Sequence, residues 1–519
     1  MTDQDPKTGR TLYRRMGIAA AIVAGGVLVS RLLGLVRQMV FAWILGAGAT
    51  GDEYFVAFII PDFLNYLLAG AYMAITLIPI LTRRFARGDD EDAWRAFWAI
   101  TRPIAFGVTA LVIIAMPLVE PILRAIEPGF TDAQVATVAR LTRIVLPAQI
   151  FFVLGQLLTA VQFARERFVI PSIGPIIYNL AIIAGGLIGG LGRENPSAEG
   201  FAWGALAGAV LGTFLLQVWG ARRAGLRWPK DSITWRHPAV PRYFALAIPL
   251  MLGQSLVVLD EQLGRTFGSL VSDGGVSWLT FGRQTMLVPV GVIAQAAGVA
   301  TYPFLARLVA EGRHREMAQA VGRAIRYIFV FSLAATAALA TLSIPAVRVL
   351  YERGSFDAID TAATAGTVVF FALGIPMWGA QQILARGFYA REEMWAPVVI
   401  GTLSTAAALP IYWVLQRVMD VDGLALASTI AITIYTIALA IVWYRRTGWE
   451  HATPVAGTAV RATLAAALGA LASWTLARVI LDGGSGFGLD AAAVVIGGVV
   501  VLAIVFGPPW VRRDLRKNA

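Results

Sequence analysis

Residues 79–102 read PILTRRFARGDDEDAWRAFWAITR, and residues 303–326 read PFLARLVAEGRHREMAQAVGRAIR. Proline, leucine, arginine, alanine and glycine recur in register in these two stretches. A second pair lies at nearly the same separation, since residues 163–171 read FARERFVIP and residues 389–397 read YAREEMWAP. Two matches at one spacing predict that the chain contains an internal repeat.

The composition around the repeat is typical of a membrane protein. The 519 residues are 57% hydrophobic and 14% charged, and the mean hydropathy is +0.69, whereas soluble domains carry about 25% charged residues. The net charge of +11 comes from short clusters between apolar stretches, which argues against nucleic acid as a partner. Because the chain has no cysteine and only three histidines, we expect neither a metal site nor another cofactor.

Apolar runs of about 20 residues, the length that crosses a bilayer, occur about fourteen times. They centre near residues 31, 68, 108, 149, 180, 211, 255, 292, 336, 374, 405, 433, 466 and 499. The predicted fold class is an all-α integral membrane protein with about fourteen transmembrane helices. The first run is too long for a signal peptide and contains Arg31 and Arg37, so it is expected to remain as a span.

The linkers between the runs alternate in charge. One set is basic: Arg14/Arg15, Arg83/Arg84/Arg87, Arg165/Arg167, Arg222/Arg223/Lys230, Arg307/Arg313/Arg315, Arg391, Arg445/Arg446 and Arg512/Arg513. The opposite set is acidic or poor in lysine and arginine, and includes the linkers with Asp52/Glu53, Glu127/Asp132, Ser272/Asp273 and Asp482. The positive-inside rule makes the basic side cytoplasmic, which predicts that both termini are inside.

The two repeated stretches lie six predicted spans apart, so both copies have the same orientation. This predicts two parallel six-helix lobes with a site between them near mid-membrane. The predicted domains are residues 1–228 and 229–450 for the lobes, and residues 451–519 for two additional helices and a cytoplasmic tail.

A charge inside the bilayer costs roughly 2.5–3.5 kcal/mol, so each intramembrane charge is a candidate functional residue. In the first span, Arg31 lies roughly 21 Å from the inner end at helical rise, and Arg37 lies nearly two turns further outward. Arg31 is expected to face a cavity or ligand, although a structural ion pair remains open. Asp62 and Asn65 of the second span are one turn apart and either line the same cavity or pair with these arginines.

The second predicted lobe carries four more candidates. Glu261 and Arg265 are four residues apart and share a helix face, which predicts either an internal pair or a coupling role, while Asp260 points elsewhere. Arg283, in the next span, has no neighbour of opposite sign on its own helix. An arginine suits a phosphate because its planar fork donates two parallel hydrogen bonds, so Arg31, Arg37 and Arg283 together predict a cationic site for a pyrophosphate.

Several motifs carry a resemblance to a known family. Residues 30–38 read SRLLGLVRQ, and Gly46, Gly48, Asp52 and Pro61 follow; residues 384–391 read LARGFYAR. This pattern resembles the MurJ (MviN) lipid II flippases of the multidrug/oligosaccharidyl-lipid/polysaccharide exporter superfamily, and the span count and repeat agree along essentially the whole chain.

The resemblance implies a transporter without enzymatic activity in the bacterial inner membrane. Its cargo would be lipid II, the undecaprenyl-pyrophosphate-linked peptidoglycan precursor, flipped from the inner to the outer leaflet by alternating access. Arg31, Arg37 and Arg283 match family arginines that face the cavity, and Asp52 matches an acid at its outer rim. The last two helices would bind the lipid tail.

The chain also departs from the family. Where a basic pair and then Phe-Ala-Glu-Gly are usual, residues 65–66 read NY and residues 68–71 read LAGA. Family asparagines associated with a sodium site align with Ala408 and Tyr412. Sodium, protons through Asp260 and Glu261, and the membrane potential alone therefore remain open as driving forces.

Other functions remain open at this point. The nearest are a flippase for another polyprenyl-linked glycan and a drug or cation antiporter of the same superfamily. A membrane glycosyltransferase would need a catalytic domain in an outward linker, and no such linker is long enough. A scaffold or receptor would not need Arg31 and Arg283.

Overall fold

The computed structural model describes residues 6–68, 70–193, 196–228, 237–482, 484, 486–509 and 511. Within these ranges only the backbone is described for residues 6–20, 67, 70–72, 75, 248–258, 294–303 and 306. The side chains of Arg14, Arg15, Lys230, Arg512 and Arg513, which contributed to the predicted sidedness, lie outside the described set. The described residues form helices joined by turns.

The chain divides by internal contacts into two compact units. The first unit comprises Met1–Leu45 and Glu53–Ser255, and the second comprises Gly46–Asp52 and Leu256–Ala519. The division into residues 1–228, 229–450 and 451–519 concerns the repeat and stays a prediction.

The helices up to the end of the first unit differ widely in length, from 8 to 40 residues. They are α1 (Pro6–Leu45), α2 (Ala49–Val56), α3 (Ile59–Leu67), α4 (Gly70–Ala86), α5 (Asp90–Ile126), α6 (Asp132–Val145), α7 (Ala148–Ala164), α8 (Val169–Gly190), α9 (Glu199–Gly208) and α10 (Leu216–Arg223), with a π-helical stretch at Ala209–Leu215 and α11 (Ala239–Gly268) continuing into the second unit. Local sequence sets several ends: the Asp89 side chain caps α5 by accepting from the Asp92 amide, and Thr131 with Gln134 forms a capping box at α6.

The second unit continues the pattern. Its helices are α12 (Gly275–Ala310), α13 (His314–Thr341), α14 (Ser343–Tyr351), α15 (Ala358–Leu373), α16 (Ile375–Ala390), α17 (Trp395–Thr447), α18 (Ala452–Leu481) and α19 (Phe487–Phe506), with a 3₁₀ turn at Trp449–His451. Asp420, with φ 50° and ψ −129°, divides α17 into two helices. These halves contain the predicted span centres 405 and 433.

The helical membrane fold predicted from the sequence is confirmed, but the number of spans is not fixed. Among the described residues nine helices are long and apolar enough to cross a membrane, or ten if α15 and α16, bent by 43°, form one span. That count takes α17 as a single helix, and α11 and α12 contain side chains that are not described. Fourteen crossings therefore stay a prediction.

Each unit has an apolar core of its own. In the first unit, Phe41 of α1 packs against Tyr54, Phe55 and Phe201 with ring centroids 4.8–5.0 Å apart. In the second unit, small side chains of α13, α18 and α19 form one buried cluster: Val330, Ala334, Ala337, Ala462, Ala465, Ala466, Val501 and Val505. The terminal helices α18 and α19 are thus packed onto the second unit, because alanine allows close helix approach.

The repeated stretches have matching turn geometry. Gly88 and Gly312 occupy the same position of the first motif and have φ of 75° and 72°. Glu166 and Glu392 occupy the same position of the second motif and have φ of 57° and 61°. A left-handed conformation costs a residue with a side chain about 1–2 kcal/mol, so its recurrence at matched positions supports the internal repeat.

We expect Gly88→Ala and Gly312→Ala each to lower the free energy of unfolding by about 1 kcal/mol, because alanine strains a left-handed turn. Nothing lies within 4 Å of a Cβ built at either position, so steric contact does not contribute. Unfolding of the purified chain in detergent measures the effect.

Gly107→Ala is the matched control. Its Cβ also meets nothing within 4 Å, but it lies within α5, where alanine favours the helix by roughly 0.5–1 kcal/mol. Equal destabilisation by all three substitutions would contradict the turn explanation.

Candidate functional site

Arg37 of the first unit is held by a neutral amide. Its Nη1 donates to Asn179 Oδ1 of α8 at 3.2 Å. Asn179 Nδ2 in turn donates to the backbone oxygen and to Oγ of Ser30, each at 3.3 Å, and to Pro175 O at 3.0 Å. Asn179 therefore joins Arg37 to Ser30, the residue before Arg31. Because the Asn179 amide is neutral, this contact orients Arg37 without cancelling its charge.

Three other candidate residues belong to the first unit. The Arg31 side chain is exposed, and Asp62 and Asn65 are half-buried on α3. Arg37 and Asp62 both lie within electrostatic range of the Tyr54 hydroxyl. The roles predicted for Arg31, Asp62 and Asn65 stay predictions.

Asp260 of α11 is the centre of a polar cluster in the second unit, in which the Arg283 side chain is 12% and the Asp260 side chain 15% exposed. Its Oδ2 accepts from Arg283 Nη1 at 2.8 Å and from Ser428 Oγ at 3.0 Å. Its Oδ1 accepts from the Tyr412 hydroxyl at 2.7 Å. The partner of Arg283 is thus an acid one helix away in sequence, which explains why no partner was visible on its own helix.

Asp260 also borders two small cavities. One, of about 40 Å³, is lined by Asp260, Trp378, Ser404, Ala408, Tyr412 and Tyr435 among others. The other, of about 20 Å³, is lined by Asp260, Glu261, Arg265, Arg283 and Ser428 among others. A space of roughly 10–15 Å³ suffices for a water, so a water fits in each of the two cavities that this carboxylate borders.

Glu261 and Arg265 pair on one face of α11, as their spacing predicted. Arg265 Nη2 donates to Glu261 Oε1 at 2.7 Å, and the Arg265 side chain is 9% exposed. The pair lines the smaller cavity beside Asp260. Its geometry agrees with an internal ion pair, and a coupling role for the pair stays a prediction.

The side chains of Ala408 and Tyr412, the positions that the family alignment suggests, and of Asp260 beside them offer no free carboxylate oxygen to a sodium ion. Both oxygens of Asp260 already accept hydrogen bonds, one of them from a guanidinium. Tyr412 uses its hydroxyl hydrogen on this carboxylate, and Ala408, which offers no side-chain oxygen, is buried at 1% exposure. The arginine supplies the positive charge that a bound cation would otherwise bring.

Asp52 is buried at 2% exposure beside the first turn of α12. Its Oδ2 accepts from the Gly274 amide and its Oδ1 from the Ser277 amide, both at 2.7 Å. A carboxylate in this position satisfies amides that a helix leaves unpaired at its amino end. Burial raises the pKa of Asp52 to about 7, although both amides favour the anion.

Comparison with known proteins identifies the family of the chain. A family model described as "Lipid II flippase MurJ" matches residues 41–489. The chain belongs to the MurJ family. The resemblance seen in its motifs is therefore confirmed, and the chain is a multi-pass membrane protein of a transporter family.

Curated MurJ relatives agree over most of their length. The chain is 28% identical to "Probable lipid II flippase MurJ" of Rhizobium tropici over 434 residues, which are 82% of this chain and 80% of that protein. It is 27% identical to "Lipid II flippase MurJ" of Burkholderia cenocepacia, covering 74% of this chain and 75% of that one.

Solved structures show the same fold. "Lipid II flippase MurJ, inward closed conformation" superposes with a TM-score of 0.73 at 20% identity, covering 95% of this chain and 99% of that chain. An inward-facing multidrug resistance MATE family transporter of the MOP superfamily gives a TM-score of 0.66 at 13% identity, covering 83% and 95%. The MurJ fold is thus shared with the wider superfamily.

The sequence did not single out three residues that the structure places at these contacts. Asn179 and Ser428 belong to no charge pattern or family motif quoted above, and Tyr412 was noted only as a departure from the family. Asn179 and Ser428 are uncharged side chains within apolar runs, where nothing but the fold reveals their partners.

We expect Asp260→Ala to destabilise the second unit by about 3–5 kcal/mol, because Arg283 would remain buried without its carboxylate. The double variant Asp260→Asn/Arg283→Gln removes both charges and should recover most of that loss. Unfolding of the purified chain in detergent measures both.

Glu311→Gln serves as the control, since it breaks exposed pairs with Arg307 and Arg313, which contribute little. If the double variant were as unstable as Asp260→Ala, the ion pair would not be the reason for the loss.

Proposed function

We propose that this chain is a flippase that carries lipid II from the inner to the outer leaflet of the bacterial cytoplasmic membrane by alternating access. It catalyses no chemical step and serves peptidoglycan synthesis and cell shape. The observation that carries the proposal is the MurJ family match over residues 41–489, with curated lipid II flippases aligned over most of their length. Both termini face the cytoplasm, as the charges of the linkers predict.

The arginines support an anionic cargo. Arg37 is held by the neutral Asn179, and Arg31 is exposed, so both keep a charge that a diphosphate attracts. An arginine fork binds phosphate oxygens in pairs. We assign Arg31 and Arg37 of α1 and Asn65 of α3 to diphosphate binding in the first unit. We assign Asp52 to the outer rim of the path that the cargo takes through the protein.

Arg283 has a different role, because the Asp260 carboxylate already neutralises its charge. A diphosphate that binds Arg283 competes with that carboxylate. Protonation of Asp260 would release the guanidinium, and a water in either of the two small cavities that Asp260 borders would supply the proton. Asp260 thus couples protonation to cargo binding. Glu261, Arg265 and Asp62 are further charges along the path of the cargo, and the membrane potential is a second driving force.

A depletion-and-rescue experiment tests the function. The gene is expressed in cells depleted of their own lipid II flippase, and lipid II in the outer leaflet is measured. We expect rescue by the wild-type chain and loss of rescue by Arg31→Ala and Arg283→Ala at normal membrane levels, because each removes a charge that binds the diphosphate.

Arg417→Ala is the control variant. The Arg417 side chain is exposed, its guanidinium lies 3.8 Å from the Trp413 ring centroid, and no role in cargo binding is assigned to it, so rescue should be retained. Failure of the wild-type chain would contradict lipid II as cargo and favour another polyprenyl-linked glycan or an antiporter. Full activity of both arginine variants would contradict the site.

Asn179 provides an independent test of the charge argument. Asn179→Asp keeps an oxygen for Arg37 but neutralises it, whereas Asn179→Leu removes the oxygen and leaves the charge. We expect the aspartate variant to transport less lipid II than the leucine variant at equal membrane levels. The reverse order would indicate that Asn179 matters only for holding Arg37 in place.

A further inference from the structure

The segment Gly46–Asp52, called here the 46–52 segment, is unusual in its packing. By its contacts it belongs to the second unit, whereas Met1–Leu45 before it and Glu53–Ser255 after it belong to the first. The segment therefore leaves its chain neighbours and packs among residues of the second unit. Something specific must stabilise it there.

Two carboxylates hold the segment, one from the segment itself and one from α15. Asp52 accepts from the Gly274 and Ser277 amides at the start of α12. Asp360 Oδ2 accepts from the Ala47 amide at 3.2 Å, and its Oδ1 accepts from Trp278 Nε1 at 2.8 Å. Asp360 thus binds the segment with one oxygen and α12 with the other.

These four hydrogen bonds form a closed ring. Asp52 joins the segment to α12, the Ala47 amide joins the segment to Asp360 of α15, and Trp278 joins Asp360 back to α12. Asp360 is itself fixed, because its amide donates to Asp357 Oδ1 at 2.9 Å. Removing Asp360 opens the ring at two points at once.

The ring is closely packed and largely dry. Ala47 is 0% exposed, Asp52 2% and Asp360 9%. A Cβ at Gly51 would lie 2.6 Å from Ser277 Oγ, and a Cβ at Gly274 would lie 2.5 Å from Ala47 O. Because Ala47, Gly274 and Ser277 are buried, an amide there that loses its carboxylate has little access to a replacement water while the segment is docked.

We propose that Asp360 is a positioning residue, the second half of a two-carboxylate latch that holds the 46–52 segment against α12 and α15, so that the segment docks and is released as one piece. Asp52 alone binds only α12, whereas Asp360 adds α15 and makes docking cooperative. We infer further that this release is a step of the transport cycle, and this part rests on the proposed function. The latch itself does not depend on the proposed function.

A cysteine probe tests the latch directly, since the chain contains no cysteine. Ser277→Cys is nearly isosteric, and Ser277 is 0% exposed beneath the segment. The rate of maleimide labelling of the full chain in membranes then reports release. We expect Asp360→Asn to raise this rate about tenfold, since one buried hydrogen bond with Ala47 is lost and the contact with Trp278 is weakened.

Three comparisons make the result specific. Asp482→Asn, which removes an exposed carboxylate, should leave the rate unchanged. Ser473→Cys, a second probe with 0% exposure on α18, should label no faster when Asp360→Asn is added. Trp278→Phe, which keeps a ring but loses the Nε1 donor, should raise labelling at position 277 and provides the test if Asp360→Asn does not accumulate.

An unchanged rate at position 277 in Asp360→Asn and in Trp278→Phe would overturn the latch. So would equal acceleration at positions 277 and 473, which would mean general loosening of the second unit. Faster labelling at position 277 together with full lipid II rescue by Asp360→Asn would overturn the role in transport. Failure of the wild-type chain to rescue would count against the proposed function and leave the labelling result intact.

Discussion

A charge inside a bilayer has no solvent to stabilise it, and this constraint governs how the polar residues of this chain are arranged. The described structure meets it in several ways. Asp260 and Arg283 neutralise each other, Glu261 and Arg265 do the same one turn away, and Arg37 is bonded to an amide. The neighbouring helices α1 and α8, and α11 and α12, must keep their register for these contacts to exist.

The different partners of Arg37 and Arg283 give the two arginines different chemistry. An amide orients a guanidinium without cancelling its charge, whereas a carboxylate cancels it and must be displaced or protonated before an anion can bind. Arg37 therefore suits a permanent attraction for a diphosphate, and Arg283 suits a conditional one. The bonds from Tyr412 and Ser428 hold Asp260 in place for this exchange.

The 46–52 segment follows the first span in a linker, and there the related constraint is the burial of a carboxylate inside the protein. Asp52 and Asp360 are buried carboxylates without a direct ion pair in the contacts described here, and backbone amides and one indole satisfy them. Such an arrangement fixes geometry strongly, because its four hydrogen bonds join the segment, α12 and α15. It also costs desolvation, which is the reason that burial shifts the pKa of Asp52 upward.

The sequence alone determined the membrane class, the helical fold and the family, and it predicted the internal repeat, because hydropathy and motif spacing are local properties that do not depend on packing. It also determined the Glu261–Arg265 pair, since residues four apart on a helix are neighbours. The contacts of Asp260 with Arg283, of Asn179 with Arg37 and of Asp360 with Ala47 were decided only by the tertiary structure. Each joins residues far apart in the chain, and one polar side chain in an apolar run does not reveal which of many distant partners the folded helices will place beside it.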